Sequence, residues 1–173
     1  SSLAVVNSTL LGADQYYVGF YTAMDYDAVE ISVSSLAGVL STTNVYHAVT
    51  NSFCAGPALE CNTPTMLTKP DFPVRIVEEH TGTGGLLGVG SVDNTSNLFD
   101  SNFGNYASID LLAGVAATAS LAVKDELTDY PAQTYAGFDI EIASLLNTQL
   151  LDAITISTYL DGTLVESQTG STE

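Results

Sequence analysis

Tryptophan is absent from this sequence of 173 residues, and only Lys69, Arg75 and Lys124 oppose twenty Asp and Glu residues. A net charge of −17 leaves no basic patch to track a phosphate backbone, which excludes nucleic-acid binding, and an anionic membrane surface repels such a chain. No apolar run approaches the roughly 20 residues that cross a bilayer, and Ser1-Ser2-Leu3 carries no basic n-region. Neither membrane insertion nor a signal peptide is therefore expected within this segment. There are two cysteines, Cys54 and Cys61, with no His or second Cys pair near enough to complete a zinc site. A short-loop disulfide is the expected state, and it points to an oxidising, extracellular compartment. Charged residues make up only 13% of the chain. The solvated surface must then be built from Ser, Thr, Asn and backbone, and the Glu/Lys/Arg faces of long helices are missing, which favours sheet.

What is there alternates with period two. Val29, Ile31 and Val33 face one way while Glu30 and Ser32 face the other, the pattern of a half-buried strand. Tyr16 to Tyr21 and Asn44 to Val49 are two further strands, and alternation returns over 106–111, 119–125 and 136–142. Over 153–167, two alternating runs flank Asp161-Gly162, which predicts a hairpin closed by a tight type I′ turn, because both central positions need positive φ. Leu145 to Leu151 is the lone candidate for a helical turn.

Between Cys54 and Gly90 the composition changes. Four of the five prolines, both cysteines, two of the three cations and a glycine-rich end fall here, around one strand-like run at Val74 to Val77. The stretch reads as a connector stiffened by proline and pinned by the disulfide. Neither the strands before it nor those after it reach the seven or so of a sandwich, so each side looks like part of one. The expected organisation is residues 1–53 as the C-terminal half of one β-sandwich, 54–91 as connector, and 92–173 as the N-terminal half of the following sandwich. The unpaired edges would be completed by the same chain folded as a circular permutant or by the next copy; the Ser/Thr-rich register shared by residues 167–173 and 1–2 favours the next copy, covalently continuous or docked head to tail.

Several stretches carry a resemblance. Asn105 to Ile109, Ala119 to Asp125, Tyr130 to Phe138 and Ile156 to Gly162 resemble the tandem repeats of giant cell-surface adhesins of gliding bacteria; Asp27 to Val33 and Asn44 to Ala48 resemble the second half of such a repeat, and Cys61 to Thr65 and Lys69 to Val74 the join between repeats. In those repeats the first half precedes the second, the reverse of the order here, as a one-period window of an array would give. The resemblance implies an all-β, sandwich or jelly-roll-like repeat that is secreted, attached to the cell surface, and adhesive or filament-forming rather than enzymatic. Neighbouring copies of the repeat would be its partners, and surface glycans would be further ones.

The candidate chemistry is sparse. Asp100, Asn102 and Asn105 fall in a short loop before a strand, resembling the calcium loop of discoidin-like and galactose-binding-like sandwiches, where side-chain and carbonyl oxygens hold the ion. The same residues also make Asx turns, in which the side chains bond their own backbone. No cofactor is required for folding, and calcium is the one ion in play. Tyr16, Tyr17, Phe20 and Tyr21 could form a sugar-stacking platform, the basis for an alternative carbohydrate-binding function; alternating aromatics are also what a core needs. His47 in a strand and His80 in the connector lie far apart, and no Gly-x-Ser-x-Gly elbow accompanies them. The pairs Glu78-Glu79 and Asp125-Glu126 single out nothing in so acidic a chain. Gly82 to Gly88 misses the dinucleotide fingerprint at Leu87 and reads as a hinge. Asn7-Ser8-Thr9 and Asn94-Thr95-Ser96 fit the N-glycosylation triplet.

Overall fold

The alternation at Val29, Ile31 and Val33 does what it predicts: all three are at 2% exposure or less, while Glu30 and Ser32 face away from the core. The computed structural model of the chain describes residues 3–7, 15–35, 41–51, 64–68, 72–85, 89–112, 116–142 and 151–170. Its strands run β1 Ala4–Asn7, β2 Gln15–Tyr21, β3 Ala28–Ser34, β4 Ser41–Asn51, β5 Thr65–Met66, β6 Val74–Ile76 and β7 Gly82–Gly85. They continue with β8 Gly90–Asp93, β9 Ala107–Leu111, β10 Ala117–Asp125, β11 Tyr135–Glu141, β12 Ile154–Leu160 and β13 Thr163–Thr169. Short 3-10 turns cover Glu78–His80 and Thr95–Leu98.

Two antiparallel sheets form a sandwich. The larger runs β1-β2-β11-β4-β9-β8 with β5 also on β4, and the smaller runs β13-β12-β3-β10-β6 with β7 also on β10. From β2 to β4 and again from β9 to β12, each strand lies in the sheet opposite its predecessor, a jelly-roll-like winding that lets both sheets close over one core. Val18, Phe20, Ile31, Ile109, Leu121, Phe138, Ile140, Ile154 and Ile156 are completely buried between them. Each such side chain contributes about 1.5–3 kcal/mol of apolar burial. Tyr26 and Tyr130 stack at one end, where the Tyr26 hydroxyl donates to the Tyr135 carbonyl at 2.8 Å and Tyr130 donates to Asp125 at 2.8 Å.

Within the single chain the winding completes these edges internally. β3 lies between β10 and β12, and β11 lies between β2 and β4, so strands from the first third and the last half of this one chain alternate in both sheets. Val29, Ile31 and Val33, expected to be buried against the next copy, are buried in the core of this one chain, with β10 and β12 flanking β3. The described part of the supposed connector is corrected as well. β6 and β7 pair with β10, β8 pairs with β9, β5 pairs with β4, and Leu67, Val74 and Val77 are buried. The glycines expected to be a hinge are in part strand β7. Its pairing brings the chain close enough that a Cβ on Gly85 would meet the Ala116 carbonyl at 2.7 Å. Cys54, Cys61 and residues 145–150 of the candidate helical turn Leu145 to Leu151 lie outside the described residues.

The Asp161-Gly162 hairpin is as expected. Both residues have positive φ, 50° and 77°, and β12 and β13 pair across them. Thr155 with Thr169 and Ser157 with Ser167 then form cross-strand hydroxyl pairs, the first exposed and the second part-buried.

Candidate functional site

Strands β3, β10 and β12 turn Ala28, Ala122 and Tyr159 to the outer face of the smaller sheet, where with Val77 they form an apolar patch separate from the main core. The turn at Glu78–His80 lies over that patch. It is held by Val77 N–H donating to the Ala122 carbonyl at 2.9 Å and by the Thr81 hydroxyl accepting from Ala122 N–H at 3.1 Å. A cleft of about 270 Å³ results, lined by Asp27, Arg75, Glu79, His80, Lys124 and Tyr159 together with the Asp161-Gly162 turn. Two of the three Lys and Arg residues in the whole sequence therefore meet at one place.

Two carboxylates organise it. Asp27, 4% exposed, accepts from Lys124 Nζ at 2.7 Å and from Asp161 N–H at 3.1 Å, both at Oδ2; its Oδ1 is buried without a hydrogen-bond partner. Glu30 accepts from the Tyr159 hydroxyl at 3.1 Å, and His80 Nδ1 stands 3.5 Å from the same oxygen. The His80 and Tyr159 rings lie 4.2 Å apart at 33°. Burial raises the Glu30 carboxyl above its ordinary range, with Tyr159 and His80 pulling it back down. Burial and then the Glu30 charge push the Tyr159 hydroxyl up to about 12. Arg75 pairs with Glu126 at the rim. A more open hollow of about 710 Å³ lies on the other side of Arg75, lined by Ile76, Glu78, Val92 and Phe99, with no orphaned buried polar atom among those residues. The smaller cleft is the better built site.

The sites expected from sequence fare differently. Asp100, Asn102 and Asn105 do come together, but around one another: Asp100 accepts from Asn102 N–H at 2.9 Å and from Asn105 Nδ2 at 2.7 Å, and Asn102 accepts from Gly104 N–H at 3.0 Å. This is the Asx-turn arrangement, with both Asp100 oxygens already used. Of the aromatic platform, Tyr16 and Phe20 are in the core and Tyr21 is exposed, so the four do not share a face. Asp125 caps the turn after β10 through Leu127 and Thr128 N–H groups.

His47 and His80 lie on opposite sheets. His47 is completely buried, with neither ring nitrogen hydrogen-bonded, and burial lowers its pKa while Asp100 raises it. Its cross-strand neighbour Asp139, 1% exposed, has an unpartnered Oδ1, and burial pushes its carboxyl up to about 7. Sequence reasoning missed the cleft because Asp27 and Lys124 are 97 positions apart; the one available signal was the rarity of cations. No protein family, no curated protein and no solved structure matches the chain.

Proposed function

We propose that the chain is a structural module of a secreted bacterial surface filament or giant adhesin, joined head to tail with further copies of itself, and that it works by building length and presenting its outer faces rather than by catalysis. The observation that carries this reading is the interleaving of β2, β3 and β4 among β9 to β12. A sandwich wound in this way closes equally well with those strands supplied from either side of a join, so an array of such chains offers a complete sandwich at every period. The uncharged hydroxyl pairs on β12 and β13 and the acidic balance of the chain suit a long, soluble, self-repelling polymer. Calcium enters only through Asp100, Asn102 and Asn105, and a chelator that leaves the melting temperature unchanged removes it from the reading.

The test is a permuted chain in which residues 92–173 precede residues 1–91, alongside a fusion of three copies. The permuted chain should melt at or above the temperature of the original order. The fusion should scatter X-rays as an extended particle whose longest dimension grows by a constant increment per copy. An unfolded permutant, or a fusion that collapses into a compact particle, overturns the proposal.

A further inference from the structure

The outer face of the larger sheet gathers aromatic rings that stand outside the main core. Ile140 pairs with Val45 and Asp139 with His47, so Tyr46 is the extra residue of a β-bulge in β4. A bulge bends its strand and re-aims a side chain. Phe138 and Ile140 point into the core, so Asp139 and Glu141 of the same strand point away from it, and the Tyr46 hydroxyl donates to Glu141 at 2.6 Å. The loop before β9 completes the group. The Phe103 ring lies 5.1 Å from that of His47 at 53°, and the Tyr106 ring 5.4 Å from that of Tyr46 at 60°. Tyr46 and His47 are buried, whereas Phe103 is 50% and Tyr106 40% exposed. Two buried rings thus support two that offer part of their surface to solvent.

The charges around these rings have one sign. Glu141 holds the Tyr46 hydroxyl, Asp139 stands across from His47 and acts on Tyr46, and Asp100 acts on His47. Burial lowers the His47 pKa, so its ring is uncharged near neutral pH. Among the described residues the Lys and Arg side chains are Arg75 and Lys124, both on strands of the smaller sheet and both paired there, with Glu126 and Asp27. No cation among the described residues therefore balances the acids beside the rings. An aromatic ring is negative over its face and attracts a cation within about 6 Å of its centre, an alkylated ammonium being the well-suited case because its methyl groups also pack on the ring. A bare metal ion is a poorer fit, since no three His, Cys, Asp or Glu side chains come together among the described residues and both Asp100 oxygens are taken within the loop.

We propose that the exposed surface of Tyr106, backed by Tyr46 and Glu141 and extended by the His47–Phe103 pair, binds a small organic cation that carries a methylated ammonium group. The cation is free rather than borne on a phosphate, because a phosphate beside the ammonium meets the same acids. The proposal is independent of the array, since all of these residues belong to a single copy.

The experiment follows backbone amide NMR signals of the full chain near neutral pH and at matched ionic strength during titration with choline. Dimethylbutanol, which has the shape of choline without its charge, and phosphocholine are the comparisons. Choline should shift His47, Phe103 and Tyr106, saturate in the millimolar range, and bind at least about three-fold more tightly than either comparison. Tyr106→Phe keeps the ring and should bind as the original chain does. Tyr106→Leu keeps apolar bulk without the ring and should weaken choline about three-fold or more. The main-chain carbonyl of Tyr106, which accepts from Asn97 Nδ2, survives in both variants. Glu141→Gln, which retains an acceptor for Tyr46, should weaken choline as well. If a variant fails to fold, the comparison of choline with dimethylbutanol on the unaltered chain decides. Shifts confined to these residues together with preference for choline sustain the proposal. No shift with choline, shifts elsewhere, equal binding of dimethylbutanol, preference for phosphocholine, or undiminished binding by a folded Tyr106→Leu variant overturns it. None of these outcomes touches the permutation and scattering test.

Discussion

On the outer face of the larger sheet, Asp139 and His47 stand opposite each other across β11 and β4, both buried and neither ring nitrogen nor Asp139 Oδ1 hydrogen-bonded. On the outer face of the smaller sheet, Asp27 and Glu30 also lie on one strand and the residue before it, but each has a partner: Lys124 for the first, Tyr159 and His80 for the second. Glu30 and Asp139 follow the same period-two pattern of outward polar residues, while Asp27, one residue before β3, lies outside it. The two faces differ in what packs beside those residues. The turn at Glu78–His80 and the Asp161-Gly162 hairpin bring a cation, a ring and a backbone N–H to the smaller sheet. Alternation therefore fixes which way a side chain points, while loops decide whether its charge is tolerated. A carboxylate without a partner responds to pH, and one with a partner responds to loss of that partner.

The larger effect is expected on the unpartnered face. Asp139 has a carboxyl raised from 3.8 to about 7 in the folded chain by burial, and it returns to the ordinary value on unfolding. The folded state thus holds a proton that the unfolded state gives up between those values. The stability from this group is complete below about pH 4 and falls as pH rises to about 7, a change of roughly 4 kcal/mol at 1.36 kcal/mol per pH unit. Asp139→Asn cannot ionise. Its stability relative to the original chain should rise by that order between pH 4 and pH 8 in urea denaturation. His47, whose lowered pKa works in the opposite sense by favouring the fold at higher pH, is common to both proteins and cancels in the difference. A gap between the two proteins that stays constant with pH would show that Asp139 is ionised as usual.

On the partnered face the sensitive change is Lys124→Met. It leaves the Asp27 carboxylate buried with only the Asp161 N–H, and breaking such a pair costs about 3 kcal/mol. Adding Asp27→Leu removes the stranded charge, so the double variant should recover most of the loss. Recovery identifies the cost as a stranded charge rather than lost packing. A single variant within about 1 kcal/mol of the original would make the pair an ordinary surface contact.

The sheets were legible where strands are long and alternate, as at 28–34, 117–125, 135–141 and 154–160. They were illegible where strands are short and lean on a neighbour. β6 and β7 hold three and four residues among prolines and glycines, and only pairing with β10 makes them strands. Whether the first third pairs with its own chain or the next copy is likewise invisible to periodicity, since both use the same strand edges. The Asp100 loop shows a different limit. Calcium loops and Asx turns draw on the same residues, and only geometry reveals that Asn102 and Asn105 take the Asp100 oxygens for themselves. Glu30 read as a solvent-facing position because no local pattern announces that the turn ending at His80 folds over it.

The smallest expected effect separates the hairpin turn from the charges it brings together. Gly162 sits at φ 77°, and a Cβ built there meets nothing within 4 Å, so Gly162→Ala tests backbone strain alone. An L-residue in that region costs about 1–2 kcal/mol, so the variant should lose about 1 kcal/mol in denaturant with an unchanged slope, because the surface exposed on unfolding is the same. Asp161→Asn is the matched control. Asn tolerates positive φ as well as Asp does, the N–H that bonds Asp27 is a main-chain group and survives, and one negative charge leaves the vicinity of two carboxylates. That variant should be unchanged or slightly more stable. If Asp161→Asn loses as much as Gly162→Ala, the Asp161 side chain itself supports the cleft, and the contrast between a charge-balanced face and an unbalanced one would have to include it.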